Sequence, residues 1–119
     1  MNAANSSTNA GPYVILAALA FDETGEIALH EAALLADQRS DSELHLVHVV
    51  REEAAASSAM ELVTLEKRLA QAPTQIQTYV EKVWASVPRK VIAHVRAGQP
   101  SRSILQTAVD INADIVVVG

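Results

Sequence analysis

Few side chains in this sequence have both the type and the spacing that chemistry requires. Of its four histidines, His45 and His48 stand three apart in the run ELHLVHVV (Glu43 to Val50). On a strand, alternation sends them to opposite faces, so they cannot share one ion. His48 and His94 can approach from neighbouring strands, but no Cys or third ligand completes a set, and no metal site is expected. Asp22-Glu23 supplies only half of the acidic character a phosphate-accepting receiver domain needs after its first strand. The acceptor Asp that such a domain carries after its third strand is replaced here by Ala97-Gly98. No Ser-His-Asp or Cys-His arrangement can be assigned, and G-x-S-x-G is absent. The dinucleotide fingerprint G-x-G-x-x-G is missing as well. The first loop, AFDETG, is not the Ser-Gly-rich loop of pyrophosphatase relatives. No catalytic role is expected.

The elements that would position these residues can be read from hydrophobic period. Met1 to Pro12 is rich in Asn, Ser and Ala without an apolar period and reads as a disordered tail. Val14 to Ala20 is a continuous apolar run, expected as a central strand. Phe21 to Gly25 is the turn after it, where Asp22 or Thr24 can cap a helix running from near Gly25 to about Arg39. Ala28, Leu29, Ala32, Ala33, Leu35 and Ala36 share its apolar stripe, while Ile27 and Leu34 fall among polar positions. Glu43 to Val50 is a second strand, and Arg51 to Ser58 a polar connection. Leu62, Leu65 and Leu69, then Ile76, Val80, Val83 and Val87, recur at helical spacing on either side of Pro73. Because proline lacks an N–H, two consecutive helical pieces are expected there. Trp84, beside the second stripe, reads as helix packing.

Val91 to Arg96 is a third strand and Ala97-Gly98-Gln99 a tight turn. Pro100 opens a helix with Ile104, Leu105, Ala108 and Ile111 expected on its buried face. Asn112 is placed to end that helix in the left-handed region. Ile115 to Val118 is a fourth strand, buried on both faces. The order β-α-β-α-β-α-β implies an α/β fold: an open parallel sheet with right-handed crossovers and helices on both faces. Ligands of such sheets bind at the carboxyl ends of strands near the topological switch point.

Composition agrees. Half of the 119 residues are hydrophobic and only 3% aromatic, so the core must be built from Ala, Val, Leu and Ile. The formal charge of −5, from 9 Lys+Arg against 14 Asp+Glu, opposes binding to nucleic acid. Absence of Cys excludes disulfides and thiolate metal sites and fits a cytoplasmic location. Tyr13 to Phe21 ends near a cleavage-like Ala18-Leu19-Ala20, yet no Lys or Arg precedes it, so it reads as a strand and not a signal peptide. No run approaches the ~20 apolar residues of a membrane span.

From Tyr13 to Gly119 the chain resembles the universal stress protein family. The likeness is carried by ILAALAFDETGEIAL (Ile15 to Leu29), by LVHVV (Leu46 to Val50), by Gly98-Gln99-Pro100 with Ile104 and Ala108, and by ADIVVVG (Ala113 to Gly119). No one of these is specific; their order and spacing together make the match. The resemblance implies a Rossmann-like fold of five parallel strands in the order 3-2-1-4-5, with dimerisation that often uses the last strand. For some members it implies ATP held by a C-terminal G-x2-G-x9-G-[ST] loop, whose backbone N–H groups take the phosphates. Gly119 aligns with the first glycine of that loop, so the chain is expected to lack the phosphate clamp, the following helix and the fifth strand.

ATP-binding members hold the ribose with an Asp at the end of the first strand. An ungapped alignment puts Ala20 there, whereas a two-residue gap would bring Asp22 into that role. The ungapped register is preferred because it matches Phe21, Glu23, Thr24 and the helix start together. The resemblance places a candidate nucleotide pocket at Ala18, Leu19, Ala20, Asp22, Val49, Val118 and Gly119, although core or strand-end packing is the preferred reading of the strand residues and a helix cap that of Asp22. Three functions follow as expectations: a stress-response module acting by self-association or protein interaction without tight ATP binding, an ATP-binding switch completed by a missing loop, or a weak ATPase. The first is preferred, with a homodimer or higher association through the exposed fourth strand.

Overall fold

The structure, a computed structural model, describes residues 11–20, 23–51, 59–83 and 91–119. Seven elements alternate as expected: β1 (Tyr13–Ala18), α1 (Glu23–Asp37), β2 (Ser42–Arg51), α2 (Ala59–Val83), β3 (Val91–Gly98), α3 (Pro100–Asp110) and β4 (Ile115–Val117). The four strands form one sheet in the order β3-β2-β1-β4, and every pairing is parallel. The chain steps outward twice from β1, then crosses back to the other side of β1. Right-handed crossovers therefore put α1 and α2 on one face and α3 on the other.

Side-chain packing follows that geometry. Ile15, Ala17, Leu44 and Leu46 point to one face and join Leu29, Ala32 and Ala36 of α1 and Ile76, Tyr79 and Val80 of α2 in a single core. Ala28, Ala32 and Ala36 of α1 are fully buried, which lets the helix lie close on the strands, while Ala33 of the expected stripe is half-buried. On the other face Leu16 stands level with His45 on β2 and with Val116 on β4. Arg96 of β3 reaches Asp110 of α3 on that face at 3.5 Å.

Several details differ from the sequence reading. β4 ends at Val117 and is half-buried, with Val118 exposed, where a strand through Val118 buried on both faces was expected. The helix around Pro73 is one element of 25 residues, not two pieces. Proline removes one hydrogen bond, but Ala72 and Ile76 are buried on either side of it and anchor both halves to the sheet. Leu105 is 63% exposed and does not belong to the buried face of α3. The helix turns its Thr107 inward instead, and the Thr107 hydroxyl donates to the Ser103 carbonyl at 2.8 Å, which satisfies that buried hydroxyl. β3 also extends through Ala97 to Gly98, where a turn was expected. Residues 1–10 and 52–58, assigned to a tail and a polar connection, lie outside the described residues, as do Val87 and Trp84.

Candidate functional site

A cleft of about 360 Å³ opens at the carboxyl ends of β1, β2 and β4. This is where the chain reverses direction across the sheet, the position at which open α/β sheets bind ligands. β1 brings Ala18, Leu19 and Ala20 to it, β2 brings Val47, His48, Val49 and Arg51, and Val118 and Gly119 follow β4. The first turn of α1 adds Thr24, and the first turns of α3 add Pro100 and Ile104.

Backbone approach shapes one side of this cleft. A Cβ built on Gly25 would land on the carbonyl oxygen of Ala20, and one built on Gly119 would land on that of Thr24. Glycine at these two positions lets the start of α1 close against the ends of β1 and β4. The segment leaving β1 is tied to β2 as well. The Leu19 N–H donates to the Val47 carbonyl at 2.8 Å, and His48 Nδ1 donates to the Leu19 carbonyl at 3.0 Å. Opposite, Gln99 caps α3: its side-chain oxygen accepts from the Arg102 N–H at 2.8 Å, with Pro100 at the start of the helix.

Six of the seven candidate pocket residues, Ala18, Leu19, Ala20, Val49, Val118 and Gly119, therefore meet at one cleft. Asp22 lies outside the described residues. Ala20 contributes a methyl group and its backbone, and no carboxylate lines the cleft among the described residues. Its walls are mostly aliphatic, with the His48 imidazole, the Thr24 hydroxyl and the exposed Arg51 guanidinium as polar groups. Such a surface can receive a flat, weakly polar ring and place a cation near an anionic substituent. His48, Arg51, Thr24, Pro100 and Ile104 were not among the sequence candidates. The signal for two of them was present: once Val49 is put at the strand end, His48 and Arg51 of the same strand end follow.

A second polar cluster lies elsewhere on the sheet. His94 pairs with His45, not with His48: His45 Nδ1 and His94 Nε2 are 2.8 Å apart. The rings are nearly parallel, with an interplanar angle of 9° and centroids 5.1 Å apart, and with the short nitrogen contact they meet edge to edge. His45 Nε2 lies 2.6 Å from a Glu43 carboxylate oxygen. The reason is register, since His94 stands opposite Val47 and so shares its face with His45. Burial, then His45, then Arg96 push the His94 pKa below the ordinary histidine value. Among the described residues no group of three or more His, Cys, Asp or Glu could hold a metal ion.

The family model for universal stress proteins matches residues 14–119. The chain belongs to the universal stress protein family. Solved structures agree with that assignment. Hypothetical protein MJ0577, whose structure was used to assign a biochemical function, superposes with a TM-score of 0.72 at 27% identity over 89% of this chain and 73% of that one. Universal stress protein UspA from Lactobacillus plantarum gives 0.70 at 19% identity, over 92% and 77%. A universal stress protein crystallised with cAMP gives 0.61 at 15% identity, over 89% and 75%. The last two likenesses concern the fold. No curated protein sequence matches significantly. The strand order β3-β2-β1-β4 is the universal stress protein arrangement expected from the sequence, and no helix among the described residues is long and apolar enough to cross a membrane.

Proposed function

We propose that this universal stress protein domain serves the stress response by associating with itself or with another protein in the cytoplasm, without catalysing a reaction and without binding ATP tightly. The observation that carries this reading is the β4 edge. β4 pairs with β1 on one side and with no strand among the described residues on the other. Val118, just beyond it, is 62% exposed. An apolar strand with open N–H and C=O groups is a template for another chain. In the preferred register Ala20 offers a ribose no carboxylate, which supports weaker nucleotide binding, since a hydrogen bond to a charged group contributes about 1.5–3 kcal/mol.

A second reading, a nucleotide-binding domain, is favoured by one observation: the family's pocket positions converge on an aliphatic cleft with Arg51 among its lining residues. The cAMP complex of a relative shows that a cyclic nucleotide binds that relative. Thermal unfolding of the 119-residue chain, with and without Mg-ATP or cAMP and across protein concentrations, separates the two readings. Association predicts a Tm that rises with protein concentration and ignores both nucleotides. A Tm that ignores concentration but rises with either nucleotide overturns it in favour of the cleft.

A further inference from the structure

Glu43, His45 and His94 do not line the cleft, although His94 stands level with Val47, which does, and neither functional reading uses them. Glu43 stands level with Val14, at the start of the strands, whereas the cleft sits at their other ends. His45 is 6% exposed. Glu43 on β2 contacts His45, and Arg96 on β3, held by Asp110 of α3, acts on His94; further along the same face the Asp114 carboxylate accepts at 2.7 Å from the N–H of Val14, which pairs with Glu43.

Hydrogen-bond polarity limits what this row can hold. An ionised Glu43 only accepts, so His45 Nε2 carries a hydrogen. A neutral His45 then has a bare Nδ1, which accepts from His94 Nε2–H. Add one proton, and either ring can carry it while both contacts survive: the proton between the rings belongs to one nitrogen or the other. Add a second, and two N–H groups face each other across 2.8 Å. Two like charges would then meet edge to edge beside a third, Arg96. We propose that Glu43, His45 and His94 form a one-proton latch between β2 and β3, closed with zero or one added proton and opened by the second.

Opening has a direction. Arg96 shares its face with His94 and ties β3 to Asp110 of α3, so charge accumulating at the pair acts on the α3 side of the sheet. The His94 pKa is lowered in the folded chain. The folded state therefore binds fewer protons than the unfolded one as pH falls below about 6.5, and stability is lost across that interval and saturates below the folded pKa.

The test is a histidine side-chain NMR titration of the whole chain from neutral to acidic pH, read through ring nitrogen shifts and backbone amides. The latch predicts that His45 and His94 titrate as a coupled pair in two steps separated by about one pH unit or more. It also predicts that α3 amides move with the second step. In His94→Gln, glutamine still donates to His45 and cannot titrate, so the remaining histidine takes its proton in one step. His45→Gln gives the reciprocal result, and either variant suffices if the other fails to fold. Independent one-step curves in the unmodified chain, unchanged in whichever variant folds, overturn the proposal. Motionless α3 amides overturn the coupling to that helix.

Discussion

Gly25 has its α-carbon against the carbonyl of Ala20, in the first turn of α1. Adding one methyl there forces α1 and the end of β1 apart at a contact made of backbone, which cannot swing away as a side chain can. Overpacking of this kind costs about 1–3 kcal/mol. Gly25→Ala is accordingly expected to lower the urea midpoint with little change in m value. An unaltered midpoint would mean that the helix start can shift freely. The same residue illustrates what the sequence could reveal about the cleft. The positions Ala18 to Ala20, Val49 and Val118 were legible through the family resemblance; the apolar runs alone marked the strands and not a pocket at their ends. The polar lining was less so. His48 was considered only as a metal ligand, and its bond to the Leu19 carbonyl depends on how β1 leaves the sheet, which no periodicity encodes. The His45–His94 contact was missed for a related reason. Which histidine faces which is decided by the β2–β3 register, and a shift of one residue exchanges the faces.

At the scale of elements, α3 is the piece whose ends are most firmly specified. Asn112 has φ of 59°; the Ala113 N–H reaches the Ala108 carbonyl at 2.9 Å and the Asn112 N–H reaches that of Val109 at 3.1 Å. These two bonds form a Schellman motif, which closes the helix and turns the chain into β4. Asparagine tolerates the left-handed region, and a β-branched residue does not. Asn112→Val is expected to destabilise by about 1–2 kcal/mol, whereas Asn112→Gly should stay within about 0.5 kcal/mol of the parent. Chemical unfolding of the two variants measures both; equal losses would place the effect in the asparagine side chain and not in the backbone angle. This cap was readable from one residue type in one position. The interior of α3 was not, because Thr107 conceals its hydroxyl on its own helix, and such a threonine looks surface-bound in sequence. Pro73 misled in the opposite sense: its local cost is real, but the buried residues on either side of it decide the outcome. Local rules predicted a break, and tertiary contacts overrode them.

For the molecule as a whole, the alternating pattern and the switch in strand order were legible from the order of elements, since right-handed crossovers leave few alternatives. What the chain does with its outer edges is a separate matter. Several apolar side chains are exposed in different places: Val118 beside the β4 edge, Leu105 and Val109 on the outer side of α3, and Ile27 and Leu34 on α1. Scattered exposed apolar residues are ordinary, so exposure alone does not choose among them. Only Val118 adjoins a strand with no neighbour on its outer side among the described residues, where backbone pairing adds to apolar contact. Lysine on an edge opposes such pairing by bringing charge into the contact. Val118→Lys is therefore expected to weaken self-association at least tenfold, a loss of about 1.4 kcal/mol, while leaving the far-ultraviolet circular dichroism unchanged. Leu105→Lys, on α3, should associate like the parent. Sedimentation velocity over a concentration series reads both variants directly. If Leu105→Lys disrupts association and Val118→Lys does not, the contact belongs to α3 and the edge-pairing reading is wrong.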